Sequence, residues 1–167
     1  MDIRPGVLND AARIAEIHVA AWQTAYRGLI PDADLDGLSV EGRERFWLDR
    51  LSRGEVPVLV ASVDDLVVGW VVFGPSRDED AREDTTEVFG IYLDPGYWGR
   101  GIGSALWSEM LRRLREKNQR MLTVWALEAN APARHFYCAR GAHPDGAGKR
   151  FVRGAVSLPE VRHAMAV

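Results

Sequence analysis

"EVFGIYLDPGYWGRGIGSALW", residues 87–107, runs from an apolar, β-branched segment through a turn into a helix-forming run. Gly99, Gly101 and Gly103 stand at alternate positions where strand hands over to helix. Glycine admits positive φ and lets a ligand reach the main chain without meeting a Cβ. A helix starting just beyond adds unpaired N–H groups and the positive end of its dipole. The stretch therefore reads either as a plain flexible turn or as a cradle for an anion of the phosphate type. No Gly-Lys-Ser/Thr follows, which excludes a P-loop. The G-x-G-x-G-S spacing lacks the last glycine of the dinucleotide fingerprint, so a nicotinamide oxidoreductase fits poorly.

Outward from this turn, the period of the apolar residues divides the chain. "MDIR" starts a short strand ended by Pro5-Gly6, and Asn9 or Asp10 caps a helix carrying Ile14, Ile17, Ala21 and Ala25. "RGLIPDADLDGL" interrupts it, and "VEGRERFWLDRL" reads as a second helix offering Phe46, Trp47 and Leu51 for packing. "VPVLVASV" and "LVVGWVVFG" are strands of a hairpin turning at Asp64-Asp65, followed by a polar loop and the strand "TEVFGIYL". A helix from about Gly101 to Lys117, the strand "MLTVWAL" and a short helix opened by Asn130-Ala131-Pro132 come next. The tail predicts two final strands around Gly154, the second weakened by Pro159. Without repeats or linkers, this is one mixed α/β (α+β) domain over residues 1–167, antiparallel strands first and a strand–helix–strand crossover later.

Composition narrows the classes. Apolar residues are 47% and charged residues 27% of 167, with net charge −3, the profile of a globular protein without a general attraction to nucleic acid or membrane. No apolar run approaches a bilayer span, and the N-terminus lacks a signal-peptide pattern. A single cysteine, Cys138, excludes an intrachain disulfide and fits a reducing, cytoplasmic compartment. His18, His135, His143 and His163 have no metal-ligand spacing, so no metal is assigned.

From Glu87 to Ala142, about a third of the chain, the sequence resembles the core of the GNAT superfamily of acetyl-CoA-dependent N-acetyltransferases. The matching motifs are Trp98-Gly99-Arg100-Gly101-Ile102-Gly103, against [QR]-x-x-G-x-[GA], and Asn130, Ala133, Phe136, Tyr137 and Gly141, against N-x-x-A-x-x-F-Y-x-x-x-G. Trp98 departs from the usual Gln or Arg and removes a polar side chain, while Arg100 keeps a cation in the turn. The resemblance implies a mostly antiparallel mixed sheet, splayed between its fourth and fifth strands and flanked by about four helices. It implies acetyl-CoA as acyl donor, its diphosphate on Gly99 to Ser104. The pantetheine arm would lie along Gly90, Ile91, Tyr92 and Leu93, near Asn130, Ala133 and Phe136. An isolated glycine such as Gly90 also marks a bulge, a close approach or plain packing.

Acyl transfer from a thioester to an amine requires deprotonation of the amine, stabilisation of the carbonyl oxygen and protonation of the leaving thiolate. The resemblance makes Tyr137 the acid, and a strand N–H near Ile91 the oxyanion donor. Glu87, fourteen residues ahead of Gly101, matches the base of some members. Strict alternation places it on one face with Phe89, Ile91 and Leu93; a surface glutamate is the competing reading. Asn130 is equally a helix cap, and Cys138 points about 100° away from Tyr137, which disfavours a covalent acyl-cysteine. On the acceptor side stand Trp22 and Tyr26, four apart on a helix and also readable as core. Between Ser76 and Asp84, five acids outnumber two arginines. With Asp32, Asp34 and Asp36 this is either an acidic rim for a cationic amine or an ordinary solvated loop. The acceptor is a small-molecule or peptide amine. A homodimer is open from the family, although no segment marks an interface. A non-catalytic acyl-CoA-binding module of the same fold is the alternative.

Overall fold

Asp64 and Asp65 take φ of 49° and 63°, the left-handed pair that a two-residue hairpin needs. They join β2 (Val58–Val63) to β3 (Leu66–Pro75). These strands open a seven-stranded sheet of order β1-β2-β3-β4-β5-β7-β6 in a computed structural model that describes all 167 residues. The others are β1 (Asp2–Pro5), β4 (Thr85–Leu93), β5 (Met121–Leu127), β6 (His143–Arg153) and β7 (Val156–Ala166). Every neighbouring pair is antiparallel except β4–β5, which is parallel because the chain crosses over through a helix. Pro159 does not break β7. It lies just past the last β5–β7 pair, Leu127–Glu160, and its carbonyl still accepts from the Glu128 N–H at 2.9 Å.

Five helices cover the two faces: α1 (Ala11–Ala25), α2 (Asp32–Asp36), α3 (Val40–Arg53), α4 (Ile102–Glu116) and α5 (Ala131–Cys138). The interruption between the first two expected helices thus carries a short helix of its own, α2, with Leu35 buried. α3 starts where the Ser39 side chain accepts from Gly42 N–H and ends on left-handed Gly54. Phe46 of α3 stays exposed, whereas Trp47 is buried. On one face Ile14, Ile17 and Trp47 pack on Val58, Val60 and Trp70. On the other, the Ile102, Leu106, Met110 and Leu114 stripe of α4 packs on Leu59, Val71, Val88 and Val124.

The register of β4 decides the site. Phe73 faces Val88 and Val72 faces Gly90, so Phe89 is an extra residue, a bulge in β4. A Cβ on Gly90 would stand 2.8 Å from the Tyr92 ring, which is why the residue after the bulge is glycine. The bulge also changes which side chains share a face. Val88, Ile91 and Leu93 join the α4 core, while Phe89 and Tyr92 pack with the α1–α3 core. Strict alternation therefore fails at Phe89: Glu87 shares its face with Phe89 but not with Ile91 and Leu93. Pairing of β4 with β5 covers only Thr85–Val88 against Met121–Val124. Beyond Val88 the two strands part, and the sheet opens.

Candidate active site

A cleft of about 630 Å³ lies in that opening, walled by Ile91 and Leu93 of β4, Val124 and Ala126 of β5, and Asn130, Ala133, Phe136 and Tyr137 of α5. At one end the chain passes Asp94, whose side chain accepts from Gly96 N–H, and a single 3-10 turn over Pro95–Tyr97. It then reaches Gly99 and Gly101 at φ of 74° and 80°. An added Cβ at either glycine would meet nothing within 4 Å, so both backbones face open space. Gly103 differs: its Cβ would press on Phe136 and Leu93 at 3.1 and 3.2 Å, so its role is close packing of α4 on α5 and β4. The first residues of α4, Ile102, Gly103 and Ser104, line this cleft, at the helix end whose N–H groups lack intrahelical partners.

Trp98, half-exposed, turns its indole back and donates from Nε1 to the Leu93 carbonyl at 3.0 Å. It ties the turn to the end of β4 where a Gln or Arg would extend outward. Arg100 stacks over the Tyr97 ring at 4.9 Å. A second cation was not legible in the sequence: Arg140, just past α5, lies 3.8 Å over the Phe136 ring, bonds Ser104 Oγ and lines the cleft. Its spacing from the glycine turn along the chain carries no signal, because only the packing of α5 on α4 joins them.

Asn130 caps α5, its Oδ1 accepting from Ala133 N–H at 3.3 Å, and it also lines the cleft. Tyr137, seven residues on, reaches the same cleft between Trp107, Phe136 and His163 at centroid distances of 5.7, 5.5 and 5.8 Å. Its hydroxyl makes no hydrogen bond within the chain. Burial pushes its acidity well below that of a free phenol, so its pKa lies above the usual 10. Cys138 is partly exposed and outside the cleft lining.

A second, smaller cavity of about 310 Å³ shares Tyr26, Val88, Phe89, Tyr92, Trp125 and Ala126 as wall with the first. Trp22, Phe151, Lys149, Arg77, Glu87 and Glu160 also line it. Trp22 and Tyr26 form an edge-to-face pair 4.9 Å apart, and the Tyr26 and Tyr92 hydroxyls lie 3.4 Å from each other. Both expected acceptor residues thus meet at this mouth. Glu87 meets it too, buried rather than at an exposed strand end. Its carboxylate accepts from Arg77 Nε at 3.0 Å, Nη2 at 2.5 Å and the backbone N–H at 3.1 Å. Three of the carboxylate's roughly four lone-pair sites are thus taken, leaving one on Oε1.

The stretch from Ser76 to Asp84 is not a free acidic rim. Arg162 of β7, itself nearly buried, binds Asp78 at 3.2 Å, Asp80 at 2.6 Å and Asp145 at 2.7 Å. Asp84 pairs with Arg82, and Arg27 takes Asp32 and Asp36. These pairs tie Asp78, Asp80 and Asp84 to arginines, while Glu79 and Glu83 make no ion pair. No helix is long and apolar enough to cross a membrane.

Comparison with known proteins agrees with this geometry. Residues 11–142 match the acetyltransferase (GNAT) family. The chain is similar to the uncharacterized N-acetyltransferase YuaI of Bacillus subtilis (strain 168), 33% identical over 82% of this chain and 77% of that protein. It is also similar to the L-amino acid N-acyltransferase MnaT of Escherichia coli (strain K12), at 27% identity over 84% of this chain and 78% of that one. Among solved structures, the PaiA N-acetyltransferase of Thermoplasma acidophilum in complex with coenzyme A superposes with a TM-score of 0.73. It is 16% identical and covers 99% of this chain and 98% of its own.

Proposed function

The chain belongs to the acetyltransferase (GNAT) family, and on that premise we propose that it transfers an acetyl group from acetyl-CoA directly to a primary amine. The acceptor is a small molecule or a peptide, bound together with the donor. The observation that carries this reading is the parting of β4 from β5 after Val88. It sets a glycine cradle, an unbonded tyrosine hydroxyl and an aromatic mouth around two cavities that share six wall residues.

The thioester, when bound, supplies an activated acyl carbon. The rest is the work of the chain. Main-chain N–H groups from Gly99 to Ser104, with Ile102 opening α4, receive the diphosphate; the open space above Gly99 and Gly101 fits that group. Arg100 and Arg140 add positive charge beside it. The free edge of β4 at Ile91, Tyr92 and Leu93 and the amide NH2 of Asn130 hold the pantetheine arm against Ala133 and Phe136. The Ile91 N–H meets the charge developing on the carbonyl oxygen. Tyr137 gives its proton to the departing sulfur. Its raised pKa means that the proton is present at any working pH. The burial that disfavours its phenolate disfavours a thiolate equally, so the transfer exchanges one buried anion for another. Glu87, tied to Arg77, acts in this reading as a positioning residue for the mouth rather than as the base that the resemblance implies.

MnaT, named for L-amino acids, supports an amino-acid amine as one acceptor. The test is release of free thiol from acetyl-CoA in the presence of L-amino acids, a polyamine, an aminoglycoside and an alanine-headed peptide. Thiol release with at least one amine is expected. Coenzyme A binding with no release for any amine overturns the reading.

A further inference from the structure

The charged groups around the acceptor mouth are not equivalent. Glu87 and Arg77 satisfy each other. Lys149 lies 4.0 Å over the Trp125 ring, and Trp125 Nε1 is taken by Asp78. Arg162, two residues along β7, is held by three aspartates. Glu160 is the one carboxylate of this wall with neither an ion pair nor a side-chain hydrogen bond, although it is half-buried and lines the cavity; Lys149 spends its ammonium on the Trp125 ring and bonds no carboxylate either. Its strand neighbours are Leu127 of β5 and Lys149 of β6. The rings of Trp22, Tyr26, Tyr92 and Phe151 line the same cavity. A half-buried carboxylate without an ion pair in an aromatic-lined cavity is costly unless a cation completes it.

We propose that Glu160 is the acceptor-side carboxylate, holding the ammonium of an amine carried on an apolar or aromatic group and taking its proton. The inference rests on the acetyl-transfer reading above and names the chemistry of its acceptor. Glu160 stands in the cavity that shares Tyr26, Tyr92 and Trp125 with the cleft holding Tyr137, so an amine anchored there faces the thioester across that shared wall. The ammonium gives one proton to the Glu160 carboxylate, and the neutral nitrogen forms the C–N bond at the acyl carbon. The C–S bond breaks with its electron pair leaving on sulfur, and the Tyr137 hydroxyl protonates that sulfur. The extra proton on the new amide nitrogen returns to the Tyr137 phenolate, and Glu160 releases its own to solvent. Burial and the nearby Glu87 raise the Glu160 pKa, partly opposed by Lys149 and Arg77, which suits a group that must accept a proton. The other ionisable groups facing it are the Tyr26 and Tyr92 phenols, both neutral.

The test compares 2-phenylethylamine with its uncharged counterpart 2-phenylethanol, binding to the coenzyme A-loaded protein and read by tryptophan fluorescence. The wild-type protein should prefer the amine by about tenfold or more. E160Q should reduce that preference to about twofold while coenzyme A affinity, measured by calorimetry, stays unchanged; E160D should restore part of it. Equal binding of the two probes, no binding of the amine, or a preference that survives E160Q overturns the proposal. With any amine that turns over, the acidic limb of kcat/KM should also shift or vanish in E160Q. If the amine preference holds but no amine is acetylated, the transfer reading fails while the ammonium site stands.

Discussion

His18 sits on α1 among Trp22, Trp47, Trp70 and Tyr92, stacked on the last at 5.4 Å, and its Nδ1 accepts from Trp47 Nε1 at 3.3 Å. Burial, helped by Arg43 and Arg153, holds its pKa down to about 3, against 6.5 for a free imidazole. Between those values the unfolded chain binds a proton that the folded chain does not. Stability therefore falls as pH falls from 6.5 towards 3. Inside this window each pH unit is worth about 1.4 kcal/mol. From pH 7 to pH 4.5 this one residue removes roughly 2–3 kcal/mol, a sizeable share of the ~5–15 kcal/mol that holds a domain. Urea unfolding followed by tryptophan fluorescence at the two pH values measures it. His18→Gln is the control, because glutamine stays neutral and still offers Trp47 an acceptor. The wild-type protein should lose about 2–3 kcal/mol more than the variant between the two pH values. Equal losses would refute the neutral, buried imidazole.

Tyr137→Phe should lower kcat about 10²-fold or more while coenzyme A affinity by calorimetry stays within about twofold, since the ring packing is kept and only the proton is lost. Gly101→Val puts a β-branched residue at φ of 80°. It should cost roughly 1–2 kcal/mol of stability from backbone strain and weaken coenzyme A binding more than about tenfold by crowding the N–H cradle. Undiminished coenzyme A binding would place the diphosphate elsewhere. Arg162→Ala removes the ion pairs of Asp78, Asp80 and Asp145 together and leaves Asp78 only its bond from Trp125 Nε1. Amide exchange across residues 76–84 should accelerate, and unchanged protection would mean that the Arg162 pairs do not hold the loop.

Much of the fold is local and therefore readable. The two aspartates of the β2–β3 hairpin, the Asn130 cap with Pro132 behind it, and the α4 stripe each depend on residues within one or two turns. The glycine turn belongs to the same class, since positive φ at Gly99 and Gly101 is a property of those residues and their neighbours. The faces of β4 were not legible. "EVFGIYL" alternates plausibly from end to end, and nothing in it shows that Phe89 is skipped in pairing with β3; that bulge moves Ile91 and Leu93 away from the face of Glu87. The loop acids likewise look free until Arg162, some eighty residues later, is seen to bind them.

Taken by itself, the chain determined its strands, its helices other than α2, the glycine turn ahead of α4 and the place of Tyr137 on α5, because periodicity, caps and turn chemistry act over a few residues. The sheet order alone decided the smaller cavity. Inserting β7 between β5 and β6 carries Phe151 and Glu160 to Trp22, Tyr26 and Glu87. Such contacts arise from which strands pair, a long-range choice governed by burial of whole faces that leaves no local mark.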